Sequence, residues 1–116
     1  MEQIVDLLIQ HESKILEFKR DLSSPENILR TIVAFANGAG GTLLMGVDDR
    51  TRQVRGIGDP TRAVEQLANL VSDRIEPRLV PEIQVLPWRK TYIVAARVFP
   101  SSTRPHFIKN AGPERG

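Results

Sequence analysis

A chain of 116 residues with 41% hydrophobic side chains supplies one modest core and excludes a pair of full-sized domains. It has no cysteine, which excludes a disulfide framework and thiolate metal sites and makes a reduced, cytoplasmic setting the expectation, and no segment approaches the roughly 20 apolar residues of a membrane span. The net charge of +2 is unevenly divided, with four Lys/Arg against eight Asp/Glu in residues 1–49 and twelve against six in residues 50–116, so carboxylates could sit beside a phosphate-attracting surface or both halves could be ordinary solvated charge.

Ile4, Leu7 and Leu8 recur at helical spacing, with His11 as a fourth member, and predict a short N-terminal helix. Ile15 to Lys19 reads as a strand, with positions 15, 17 and 19 on one face and Leu16 and Phe18 on the other. A helix starts at Ser24-Pro25-Glu26: serine caps, proline suits the first helical position, and glutamate complements the positive end of the dipole. It should run to about Asn37, and its wide apolar face (Ile28, Leu29, Ile32, Val33, Phe35, Ala36) should pack on a sheet until Gly38, Gly40 and Gly41 end it. Thr42 to Val47 has the apolar character of a central strand covered on both faces. A turn at Asp48-Asp49-Arg50-Thr51 and a strand from Gln53 to Ile57 would make 42–57 a hairpin.

Asp59-Pro60 opens another helix, with Val64, Leu67, Leu70, Val71 and Ile75 on one face, stopped before Pro77. Glu82–Val85 and Tyr92–Val98 alternate as strands on either side of a turn at Trp88-Arg89-Lys90. Pro81 and Pro87 confine the first of these to a sheet edge or to short pairing. A loop from Pro100 to Pro105 precedes a possible last strand, His106 to Lys109, and neither His106 nor the earlier His11 adds metal-ligand support. The turn-like ending Gly112-Pro113-Glu114-Arg115-Gly116 raises the expectation that the single domain, 1–116, is the N-terminal part of a longer protein.

Three groups of residues carry candidate chemistry. Gly38-Ala39-Gly40-Gly41-Thr42 follows a helix and precedes a strand, the reverse of a phosphate-cradling loop, and no Gly-Lys-Ser/Thr occurs, so ATP is not expected. Glu12, Glu17, Asp48 and Asp49 form a dense carboxylate set of the kind that holds a divalent metal for phosphodiester cleavage. On one regular helix Glu12 and Glu17 would point about 140° apart, so they converge only across a helix-to-strand bend. The alternative is structural: Glu17 pairs with Lys19 along one strand face, and Asp48-Asp49 makes a turn.

The third group is basic. Arg50, Arg52 and Arg55 would form a ridge around the hairpin, with Arg104, Lys109 and Arg115 adding charge near the C-terminus. Trp88, beside Arg89 and Lys90, either stacks a base or folds over the sheet edge.

Several of these residues fall into ordered motifs. Glu12-Ser13-x-x-x-Glu17-Phe18-Lys19, Ile32-Val33-Ala34-Phe35-Ala36-Asn37 with Gly40-Gly41-Thr42-Leu43, Gly46-Val47-Asp48-Asp49, and Gly56-Ile57 resemble the Schlafen AlbA-type domain, also called divergent AAA or RecG-like helicase-related. Arg104-Pro105-His106 and Lys109-Asn110-x-Gly112-Pro113 resemble its C-terminal part, so the likeness spans about residues 12–116. The resemblance implies an α+β fold with an Alba-like mixed sheet of about five to six strands, two main helices and a short N-terminal helix. It also implies DNA binding at the head of a transcriptional regulator with a winged-helix region further on. In animal Schlafen relatives, the residues matching Glu12, Glu17 and Asp49 form an endoribonuclease centre, which here would use Mg or Mn. Those animal enzymes pair two lobes, so cleavage by this single lobe would call for a homodimer.

The leading expectation is therefore a nucleic-acid-binding module held by Lys19, Arg50, Arg52, Arg55, Trp88, Arg89, Lys90, Arg104 and Lys109. A metal-dependent endoribonuclease and a protein interaction or oligomerisation module are the rivals.

Overall fold

The computed structural model describes residues 16–109, so the expected N-terminal helix, Glu12 and Arg115 lie outside the described residues. In chain order the elements are β1 (Leu16–Lys19), α1 (Pro25–Asn37), β2 (Gly41–Met45), α2 (Pro60–Arg74), β3 (Ile75–Glu76), β4 (Glu82–Trp88), β5 (Thr91–Val98) and β6 (Phe107–Ile108). The principal sheet has the order β1-β2-β5-β4, and β3 and β6 form a separate two-stranded ribbon. β1 runs parallel to β2, and the other pairings are antiparallel. This is the expected α+β class with a mixed sheet; the strands among the described residues divide four and two rather than forming one continuous sheet.

Alternation decides which residues go inside. Leu16 and Phe18 are buried and Glu17 and Lys19 only half-buried, as a period of two requires for a strand with unequal faces. The sheet's two faces carry separate apolar clusters. On one, α1 and α2 bring Ile28, Leu29, Ile32, Phe35, Leu67 and Val71 against Leu43, Met45, Val94, Ala96 and Val98. On the other, Leu16, Phe18, Leu44, Val47, Leu86, Ile93 and Ala95 pack together with Val54 and Trp88. Strand β2 contributes to both clusters, as expected of a central strand. Each such large side chain removed from water stabilises the fold by roughly 1.5–3 kcal/mol.

The helix boundaries agree with the sequence, but their capping differs. Asp59 caps α2 by accepting a hydrogen bond from Arg62 N at 3.1 Å. Ser24 occupies the capping position of α1, yet its side chain makes no capping hydrogen bond. Ile75, expected on the face of α2, is buried, but its extended backbone has already left the helix and begins β3.

The predicted strand at Gln53–Ile57 does not form. Only an isolated bridge joins Val47 to Val54. The Gly46 carbonyl accepts from both Arg55 N (2.7 Å) and Gly56 N (2.9 Å), and Arg52 and Gly56 have φ of 61° and 82°. A chain folded over one carbonyl with left-handed residues cannot continue a ladder. Strand β4 does lie at the sheet edge, as its prolines require. Trp88, expected in the turn, is instead the last residue of β4, which leaves Arg89-Lys90 as the turn, with Arg89 at φ 52°.

Candidate nucleic-acid interface

Strand register fixes which loops meet. β1 and β2 both finish at one end of the sheet, with Lys19 paired to Met45, and the β4–β5 turn lies at that same end, with Trp88 paired to Thr91. The Lys19 carbonyl accepts from Gly46 N (2.8 Å) and Val47 N (3.3 Å), which holds the start of the loop after β2 against the end of β1.

Asp48 then organises the loop. Its Oδ1 accepts from Arg50 N at 2.9 Å and Thr51 N at 3.0 Å. Hydrogen bonds from the Thr51 and Arg50 amides stabilise the charged form and hold this carboxyl below its ordinary range, with the nearby Arg55 charge acting in the same direction. The structural reading of Asp48 as a turn-former therefore stands.

The loop returns to the sheet through a close approach. Ile57 N donates to Tyr92 O at 2.8 Å. A Cβ placed on Gly56 would lie 2.7 Å from Thr91 Cβ, so only glycine lets the backbone pass there.

This geometry gathers Lys19, Arg50, Arg52, Arg55, Arg89 and Lys90 at one end of the sheet. Arg50, Arg55, Arg89 and Lys90 are exposed, and Lys19 and Arg52 are half-buried. Among the described residues, those four exposed cations form no ion pair. The Arg52 guanidinium lies 5.4 Å from the Phe18 ring centroid, and that of Arg89 lies 5.3 Å from the Trp88 ring. Trp88 is half-buried and packs against the second apolar cluster.

Arg104 and Lys109 do not join the group. β5 runs antiparallel to β2 and carries the chain to the opposite end, where Arg104 Nη1 lies 3.5 Å from Gly38 O. Lys109 sits just beyond β6, its Nζ 3.8 Å from Glu76.

Among the described carboxylates of the set, Glu17 lies in β1 and Asp48 and Asp49 in the turn after β2. Glu17 faces α1 and, with Arg30, Thr31, Ala34, Phe35, Gly38, Ala39 and Gly40, lines a cavity of about 370 Å³. Its register partner is Leu43, whereas Asp49 is exposed in the turn after β2. Glu12 lies outside the described residues, and among those described no three His, Asp or Glu side chains converge to hold a metal ion.

One residue that the sequence places at the start of the last strand proves central to the opposite end. His106 is 3% exposed, and its ring nitrogens lie 2.8 Å from Pro77 O and 2.6 Å from Ser101 Oγ. The Arg104-Pro105-His106 motif includes it, but nothing local shows its burial, since its backbone partner Asn37 is distant in the chain.

The profile of the Schlafen, AlbA_2 family matches residues 12–114. Among solved structures, the N-terminal domain of a protein from Nitrosomonas europaea, named as related to the ATP-dependent DNA helicase RecG, is similar with a TM-score of 0.76 and 27% identity. That match covers 92% of this chain and 80% of the neighbour. The DIP2311 protein from Corynebacterium diphtheriae shares the fold at a TM-score of 0.66 and 17% identity, over 86% of this chain and 25% of its own. No curated protein matches the chain.

Proposed function

The chain belongs to the Schlafen AlbA_2 family, and from that premise we propose that it is a DNA-binding module of a regulator or helicase-related protein. Family membership and the RecG-related neighbour fit a nucleic-acid-related role. The observation that carries the finer reading is the set of exposed cations at one end of the sheet, free of ion pairs among the described residues. Unpaired arginine and lysine on loops neutralise phosphates and release condensed counterions, giving affinity without reading sequence.

Fluorescence anisotropy with a labelled oligonucleotide, titrated at several salt concentrations, tests this. Affinity should fall steeply as salt rises, and each of Arg50→Ala, Arg55→Ala and Arg89→Ala should reduce the log–log slope by about 1. Absence of binding at low salt would remove the reading. RNA incubated with Mg or Mn should remain intact; cleavage by the wild type that is lost in Glu17→Ala would move the function to metal-dependent chemistry.

A further inference from the structure

Trp88 is the aromatic that sequence singles out for base stacking, but its ring is occupied: one side packs on the sheet and the Arg89 guanidinium lies over it at 5.3 Å. Tyr92 presents the opposite situation. It is 44% exposed, and it sits at the same cation-rich end of the sheet.

Register explains the exposure. Val85 pairs with Val94 and Pro87 with Tyr92, so these four side chains share one face of the β4–β5 ladder. Helices α1 and α2 cover that face as far as Val94 and Ala96, both fully buried, but their cover stops short of Tyr92. Val85 is 40% exposed and Pro87 is exposed as well. The result is a small apolar strip with an aromatic ring at its outer end.

The loops that carry the cations are joined to the backbone at Tyr92, while Arg52 and Arg89 lie over Phe18 and Trp88, on the opposite face of the sheet from its ring. The Tyr92 carbonyl accepts from Ile57 N, which ties down the loop carrying Arg50, Arg52 and Arg55. Arg89 and Lys90 occupy the turn that leads into β5. Resting on the nucleic-acid reading above, we infer that Tyr92 is a stacking subsite for an unpaired base, and that this end of the sheet takes single-stranded or splayed nucleic acid in preference to continuous duplex. An exposed ring plane at a cation-rich end of the sheet satisfies an unstacked base, whereas in a duplex both faces of each base are already used by its neighbours.

The test compares labelled oligothymidine with a blunt duplex of the same length, at low salt, on the full chain. Tyr92→Ala should weaken single-strand binding about tenfold while Tyr92→Phe retains it, because the plane and not the hydroxyl does the stacking. Tyr92→Leu keeps the apolar contact without the aromatic plane and should behave like Tyr92→Ala, which separates lost stacking from disturbed folding. Duplex affinity should be the same for all four proteins. Unchanged single-strand affinity in Tyr92→Ala and Tyr92→Leu, or an equal loss on duplex, overturns the subsite and leaves the basic interface standing. A wild type that binds neither form removes the interface and the subsite together.

Discussion

The two ends of the principal sheet are both rich in polar residues, yet they use them in opposite ways. At the end formed by the loop after β2 and the β4–β5 turn, backbone groups satisfy one another and the charged side chains of Arg50, Arg55, Arg89 and Lys90 remain exposed. At the other end the side chains themselves are consumed. Asn37 accepts from His106 N at 2.7 Å and donates to His106 O at 3.1 Å, and Ser101 N donates to Ala36 O at 2.9 Å. Pro77 O can only accept, so His106 Nδ1 donates to it, and Nε2 lies 2.6 Å from the Ser101 hydroxyl. Polar density alone does not mark a binding surface; what distinguishes the two ends is whether the donors already have buried partners.

The largest expected effect comes from separating the two loops of the basic end. Gly56→Ala combines a left-handed backbone with a Cβ driven into Thr91, and should destabilise the protein by about 3 kcal/mol, read as a lower midpoint in urea. Retained stability would mean that the loop does not depend on that close approach. Asn37→Ala should cost about 2 kcal/mol by orphaning both backbone groups of His106, while the folded fraction binds nucleic acid as before. Weakened binding in folded Asn37→Ala would break the division between a structural end and a binding end. Arg55→Ala should show the converse, a change in stability within about 0.5 kcal/mol and a reduced salt slope in binding.

What the sequence made legible was local. The alternation at Leu16 and Phe18, the broad apolar face of α1, the capping Asp59 and the edge-forming prolines of β4 each follow from neighbours within a few positions. The failures required contacts between distant segments. Gln53–Ile57 looks like a strand until the Gly46 carbonyl takes two amides and Gly56 meets Thr91. His106 looks like the first residue of the last strand until Asn37, on α1, takes up its backbone. The basic residues after Asp49 were visible as a set, but only the antiparallel run of β5 sends Arg104 to one end and leaves Arg55 and Arg89 at the other. Trp88 and Tyr92 were separable only once burial was known, because both lie near basic residues in the chain.

The smallest predicted effect concerns how the basic loop is held. The Asp48 carboxyl is held below its ordinary value of 3.8 by the Thr51 and Arg50 amides. A depressed folded-state value means that the contribution is complete above the unfolded value and is lost as pH falls through the folded one. The turn should therefore be intact at neutral pH and loosen only below about pH 4. The carboxyl is exposed, so the response should be local, seen as faster exchange of the Arg50 and Thr51 amides and not as a shift of the whole unfolding curve. Asp48→Asn keeps an acceptor oxygen and should remove this acid response while preserving the turn, whereas Asp48→Ala should free both amides at every pH. The Asn37 to His106 bonds contain no carboxylate, so amide exchange there should not track Asp48. Simultaneous loosening at both ends would show that acid unfolds the domain as a unit and that the basic loop has no separate stability of its own.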